Sequence, residues 1–334
     1  MHRPALRLLV PIAVAVAGLG LASSCRPHPK VPGWVQSAPE DSVLSFSGGA
    51  GWMLTQPDIQ NLLDGEPEAS RALDLFLQKA RINPHTETGR LTLHLLAGPG
   101  PVQGKGLGQI LIQLDQFQDP KALLAALAGA FPQEGQLRLN GRDWPLYVIL
   151  DLDSPKGSVH IRAASDERGQ LWIGDLSALQ RLASRKSLAT RPDAAGAAAW
   201  INAKAPFQGY FQPEALLGGL LRGRLPETST LRDLPKGLDA LFWSIAPGAS
   251  PGQPSQFELA IGGSAEGITQ IAPWLQRLVA LVSAVQPAPG AAPPELMQEK
   301  RRVGLRATLT DAQLKLVMEK LGQPMLSFRP VPPA

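Results

Sequence analysis

The sequence predicts an α+β protein made of two tandem related domains of mainly antiparallel sheet with packed helices. Three observations lead there. Short apolar runs of strand length alternate with longer stretches whose apolar residues recur at i, i+3, i+4 and i+7. The same order of elements occurs twice along the chain. Between the elements, 33 glycines and 32 prolines in 334 residues mark frequent turns, while 44% hydrophobic residues suffice for a sizeable core.

Residues 8–21 are almost purely apolar and follow Arg3 and Arg7. A basic start, a short apolar run and small residues behind it are the marks of a secretory signal. A membrane span needs about 20 apolar residues, and Pro11, Gly18 and Gly20 weaken that alternative. The segment ends in Leu21-Ala22-Ser23-Ser24-Cys25, and Cys25 is the one cysteine of the chain. These five residues resemble the lipobox of bacterial lipoproteins. Leu21 stands one residue earlier than the usual lipobox leucine, and Ala22 takes its place. The resemblance implies cleavage before Cys25, lipidation of Cys25 and a membrane partner reached through that lipid. Arg26, where aspartate would signal inner-membrane retention in enteric-type bacteria, implies the periplasmic face of the outer membrane of a diderm.

The expected organisation is a signal peptide at 1–24, the lipidated cysteine with a proline-rich tether at 25–38, one α+β domain at 39–187, a second at 197–323, and a tail at 324–334. Arg26-Pro27-His28-Pro29-Lys30-Val31-Pro32-Gly33 reads as an extended spacer. In the first domain, strands are expected at 42–47, 91–96, 109–114, 136–139, 146–152, 158–163 and 170–173. Thr55-Gln56-Pro57-Asp58 and Asp119-Pro120 read as helix starts, and Asp175 as the cap of a short helix over 176–182. Ala69, Ala72, Leu73, Phe76, Leu77 and Ala80 form a helical stripe. The pattern lapses over 183–196, which places the domain boundary there.

The second half restarts with a strand expected at 198–203 and a helix at 214–221. Strands follow at 240–246 and 257–261. A long helix carries Ile268, Ile271, Leu275, Leu278, Val282 and Val285, and Gln270, Gln276 and Arg277 oppose a membrane-spanning reading of it. Residues 286–294 read as a linker, 303–309 as a strand, and Thr310-Asp311-Ala312-Gln313 as the start of a last helix. The repeated order suggests duplication, the first half keeping an extra hairpin near 136–163. With Pro39-Glu40-Asp41-Ser42-Val43, the chain also resembles a loosely defined class of uncharacterised periplasmic proteins whose mature chains begin with a Pro-x-Asp-x-Val strand. That class has no known activity to imply.

Charge excludes some partners. The formal charge of +4 falls to +2 once Arg3 and Arg7 are removed, and no Lys/Arg run is interleaved with aromatics, so nucleic acid is not an expected partner. Lys300-Arg301-Arg302 is the densest basic cluster and reads as a solvated strand entrance. The seven tryptophans lie in or beside apolar runs and read as core.

Catalytic chemistry has few candidates. His94 and His160 lie within strand patterns, His85 in a turn and His28 in the tether. Without a second cysteine or an HExxH pattern, no metal site is expected. Residues 100–105 are one residue short of a phosphate loop, and Gly104, Gly106 and Gly108 lack dinucleotide-binding spacing. Asp151 and Asp153 read as a solvated turn rather than a cation site. Ser264 reads as a helix cap rather than a nucleophile. No catalytic, cofactor or metal residue is therefore assigned, and Cys25 is the one expected site. The reading is a non-enzymatic envelope lipoprotein that binds envelope proteins or serves structurally. The alternatives are a periplasmic carrier of hydrophobic or lipid ligands and a hydrolase with an unrecognised site.

Overall fold

The computed structural model describes residues 31–53, 67–79, 81, 83, 88–97, 109–139, 141–154, 157–166, 169–184, 186–215, 236–248, 250, 253–285 and 291–320. The lipobox with Cys25, His28, His85, the glycine-rich 100–108 segment, the helix start at 55–58, most of the helix expected at 214–221 and the tail lie outside these residues.

Twelve strands form one antiparallel sheet in the order β11-β12-β10-β9-β8-β1-β2-β3-β7-β6-β5-β4. In chain order they are β1 (Ser42–Gly48), β2 (Thr88–Leu96), β3 (Ile110–Phe117), β4 (Gln133–Leu139), β5 (Arg142–Ser154), β6 (Gly157–Ser165), β7 (Leu171–Asp175), β8 (Phe207–Phe211), β9 (Leu238–Ala246), β10 (Ser255–Gly263), β11 (Glu295–Glu299) and β12 (Arg302–Leu309). The helices are α1 (Gly33–Ser37), α2 (Ala50–Met53), α3 (Pro67–Lys79), α4 (Pro120–Ala130), α5 (Leu176–Ser184), α6 (Pro192–Ala198), α7 (Pro213–Ala215), α8 (Ala265–Ala284) and α9 (Asp311–Lys320), with a 3₁₀ turn at Leu188–Thr190. The protein is thus α+β and mostly antiparallel sheet.

The two halves, expected as separate domains, share this sheet within one compact unit, Val31–Ala334. Their junction is β1 against β8, with Phe46 opposite Gly209. Each half taken alone would end in an unpaired strand there, and pairing the two satisfies both rows of backbone groups. Outward from the junction the orders β1-β2-β3-β7-β6 and β8-β9-β10-β12-β11 correspond, and β5-β4 extends the first half.

Alternation divides the strand residues between two faces. One face carries a continuous apolar core from Ile161 and Ile173, through Ile112, Leu93, Phe211 and Trp243, to Leu259 and Leu305. Phe76 of α3, Leu123 and Leu127 of α4, Ile271, Leu275 and Leu278 of α8 and Leu314 of α9 cover it. The other face has two smaller clusters, one under α1 and α6 and one under α5. Between them lies a strip of polar residues.

Local chemistry explains four of the helix starts. Asp119 accepts from the Lys121 and Ala122 amides ahead of α4, Asp175 from the Ser177 amide, and Ser264 from the Gly267 amide. Thr310 and Gln313 exchange bonds as a capping box.

Three sequence expectations need correction. Residues 33–37, assigned to the tether, form α1, and Trp34, Val35 and Ala38 are buried in the second face. The spacer reading weighed the prolines and overlooked one apolar helical turn. Residues around 183–196, read as a boundary, contain the 3₁₀ turn and most of α6, with Leu188 and Ala194 buried. The strand expected at 198–203 is absent, because Pro192 starts a helix through an alanine-rich segment and β8 begins only at Phe207. β11 lies just beyond the expected linker.

Candidate functional site

The polar strip is built from alternate residues of neighbouring strands. Ser45 and Ser47 of β1, Thr92 and His94 of β2, and Gln113 and Asp115 of β3 point to the second face, as do Gln208 of β8 and Ser244 of β9. Ser45, Ser47, Thr92, His94, Gln113, Gln208 and Ser244 are all buried, so each must find partners inside the protein.

The bonds fix one another's direction. Gln113 donates from Nε2 to Asp115 Oδ2 at 3.1 Å, which leaves its Oε1 as an acceptor. His94 Nε2 lies 3.3 Å from that oxygen and must carry the proton. His94 Nδ1 is then an acceptor, and Ser45 Oγ, 3.0 Å away, donates to it. Burial pushes the imidazole down to about 4, against a smaller opposing effect of the Gln113 bond. Burial also raises Asp115 to about 6, partly offset by Arg90, its cross-strand partner, and by Gln113.

The order Ser45, His94, Gln113, Asp115 looks like a nucleophile and base with an orienting group. Chemically it falls short. Ser45 and His94 are both 0% exposed, so no substrate atom reaches the hydroxyl, and an imidazole near 4 is a poor base at neutral pH. The strip works instead as a lock. Trp34 of α1 donates from Nε1 to Gln208 Oε1 at 2.5 Å, and Gln208 Nε2 donates to the Asn202 and Ala205 carbonyls. Arg90 donates to Ser47 Oγ and to the Ala205 carbonyl. On the far side of the junction, Glu258 accepts from Ser244 and the Asn202 amide, and from Arg306 at 2.9 Å.

His160 lies elsewhere. Its Nδ1 is 2.9 Å from Asp151 Oδ1, and both side chains are nearly half exposed. Between them and Glu134 sits the buried Arg162, which donates to Glu134 Oε2 and Asp151 Oδ1 at 2.5 Å each. The guanidinium holds both carboxylates below their ordinary range, with His160 adding to the effect on Asp151. This arrangement clamps β4, β5 and β6 together.

Other residues singled out in the sequence lie around these groups. Arg301 pairs with Asp193 at 2.6 Å, and Arg302 bonds Glu299 and the Gly196 carbonyl and lies over Trp200, so the basic cluster is used internally. Ser264 is the cap of α8. In the Pro-x-Asp-x-Val segment, Pro39 bridges to Ser187 and Asp41 pairs with Arg181 of α5. Trp34, Trp144, Trp172, Trp243 and Trp274 are buried. Among the described residues no group of three or more His, Cys, Asp or Glu could hold a metal, and no helix is long and apolar enough to cross a membrane.

A cleft opens on the second face beside α1. Leu139, Trp144, Trp172, Leu182 and Pro39 give it apolar walls, and Gln36, Ser37, Gln170, Lys186 and Ser187 its polar lining. Its cavity volume is about 40 Å³. The chain matches no known protein family, no curated protein and no solved structure. Function therefore rests on the geometry alone.

The sequence singled out His94 and His160 but missed Arg162, Gln113, Gln208 and Trp34. A usable signal existed for the strip. Ser45 and Ser47, Thr92 and His94, and Gln113 and Asp115 are polar pairs at spacing i, i+2 inside apolar strands, which is one polar face read three times.

Proposed function

We propose that the protein is a cell-envelope lipoprotein, anchored through lipid on Cys25, whose folded body acts by binding an envelope partner and not by catalysis. The observation that carries this reading is the fate of the reactive side chains: His94 is sealed within the strip, and His160 is tied to Asp151 in a surface clamp. Spacing adds support. Six residue steps separate Cys25 from Val31, a reach of about 20 Å, so an anchor there would hold the body close to the bilayer. The cleft beside α1 is far smaller than a usual ligand pocket of about 300–1,000 Å³, so that cleft does not itself support the carrier reading.

The two halves are further proposed to descend from one duplicated unit. The corresponding strand orders about the β1–β8 junction support this, as does the placement of α4 and α8 over the same core face. Helices α5 and α9 depart from it, since α5 packs on the second face and α9 on the first.

The test is complementation of a deletion strain with wild type, Cys25→Ser and the double variant His94→Gln/His160→Gln. Cys25→Ser is expected to leave the membrane fraction and fail to complement, while the double variant, if folded, complements. Membrane-bound, identically cleaved Cys25→Ser would refute the anchor. A folded double variant that cannot complement would refute the non-catalytic reading.

A further inference from the structure

We propose that part of the polar strip is a proton-linked relay: protonation of Asp115 turns the Gln113 amide over and moves the proton of the buried His94 ring from Nε2 to Nδ1. The Asp115 carboxylate sets the direction of the bonds along this row. Ionised, it only accepts, so Gln113 offers it Nε2 at 3.1 Å and turns Oε1 toward His94 and Ser37. A protonated carboxyl is a donor, and its O–H meets the amide oxygen when Gln113 is reversed. Nε2 of Gln113 then takes the place of Oε1 and donates to His94 Nε2, which must be bare. The ring proton stands instead on Nδ1 and is given to Ser45 Oγ, which now accepts. Net uptake is the one proton on Asp115, and the imidazole stays neutral.

The neighbouring groups show what each arrangement gains. Ser37 Oγ of α1 lies 3.1 Å from both Gln113 Oε1 and the Trp34 carbonyl, so in the ionised state one hydroxyl proton faces two acceptors. After reversal Ser37 accepts from Gln113 Nε2 and keeps its proton for Trp34. Against this, the Ser45 hydroxyl proton gives up its bond to His94. Arg90, opposite Asp115 on β2, favours the ionised state and is itself tied to Ser47 Oγ and the Ala205 carbonyl. Ser45 and Ser47 of β1, Thr92 of β2, Trp34 of α1 and Trp172 of β7 also pack around the row, and none of them titrates between about pH 5 and 8. Burial raises Asp115 to about 6 and lowers His94 to about 4, so Asp115 takes up its proton while the imidazole is still neutral. Mild acidity is thus read at two inner points, the His94–Ser45 bond between β2 and β1 and the Gln113–Ser37 bond under α1.

The test uses the full chain labelled with ¹⁵N in histidine, the His94 ring signals being those lost in His94→Gln. Long-range ¹H–¹⁵N spectra distinguish a protonated ring nitrogen from a bare one. At about pH 8 the proton should stand on Nε2 and at about pH 5 on Nδ1, with a midpoint at about 6, where Asp115 titrates. In Asp115→Asn, which cannot titrate, one pattern should persist across that range. The proposal is overturned if the proton stays on Nε2 from about pH 8 to 5, if both ring nitrogens become protonated together at about pH 6, or if Asp115→Asn still shows the exchange of pattern. Should Asp115→Asn not fold, the wild-type ¹³C carboxyl signal of Asp115 replaces it: a midpoint shared with the ring supports the relay, and separate midpoints overturn it. The relay does not depend on the lipid, so its failure leaves the Cys25 anchor untouched, and the reverse holds.

Discussion

Gly209→Ala at the centre of the sheet offers a sharp measure of how tightly the two halves fit. Gly209 faces Phe46 across one strand pair and Trp243 across the other. A Cβ on Gly209 would come within 3.0 Å of Cε2, Cζ2 and Nε1 of the Trp243 indole. That ring is buried and has Phe46 6.3 Å away, centroid to centroid, so it has little room to retreat. Were the space open, alanine would stabilise the strand by roughly 0.5–1 kcal/mol relative to glycine. Overpacking a filled core costs about 1–3 kcal/mol. The second effect wins, and Gly209→Ala should destabilise by about 1–2 kcal/mol. Urea denaturation followed by far-UV circular dichroism should show a lower midpoint at unchanged slope. Trp243→Phe removes the atoms that clash, so the double variant should recover about 1–2 kcal/mol relative to additivity. A neutral or stabilising Gly209→Ala, or strictly additive single effects, would refute this account of the junction.

His94 should make stability depend on acid. Its folded value of about 4 lies below its ordinary 6.5, so the unfolded chain takes up the proton first as pH falls. Its contribution is complete above pH 6.5 and is lost toward pH 4, about 3 kcal/mol at 1.36 kcal/mol per unit. Asp115, raised to about 6 from 3.8, works in the opposite direction, its neutral form gaining stability as pH falls through 6. The expected observable is therefore the difference between wild type and His94→Gln, which should shrink by about 3 kcal/mol from pH 7 to pH 4; a flat difference would refute the buried neutral imidazole. Arg162→Met should lower stability by about 2 kcal/mol in urea, because two charge-assisted bonds are lost to carboxylates that are partly screened by solvent. Trp34→Phe keeps the ring but strands Gln208 Oε1, and should cost about 1–3 kcal/mol, with faster proteolysis near residue 34 as a second readout.

Much of the fold was legible because local chemistry agreed with the final packing. Asp119, Asp175, Ser264 and Thr310 announced their helices by capping, and the stripe from Ile268 to Val282 announced α8. What failed had weak local signals. α1 is one turn behind three prolines, and α6 is mostly alanine and glycine, so neither displays an apolar period. The one-sheet architecture was hidden for a different reason: pairing between β1 and β8 is a long-range event, and no neighbouring residue encodes it. The site residues divide the same way. Cys25 follows from a contiguous pattern, whereas the Arg162 clamp joins residues from three strands, and the cleft joins Gln36 to Lys186 across the second face.

The β1–β8 junction also sets a timetable for folding. Residues 42–48 must wait for residues 207–211 before the centre of the sheet can close, and Trp34 waits for Gln208, 174 residues further along. Closing so long a loop costs entropy before any contact repays it, and topologies dominated by such distant pairs fold slowly. Until then β1 presents a bare edge, open to any strand that arrives first. A second copy of the chain can supply that strand as well as the chain's own β8, so raising the protein concentration during refolding should increase the share of molecules that exchange halves.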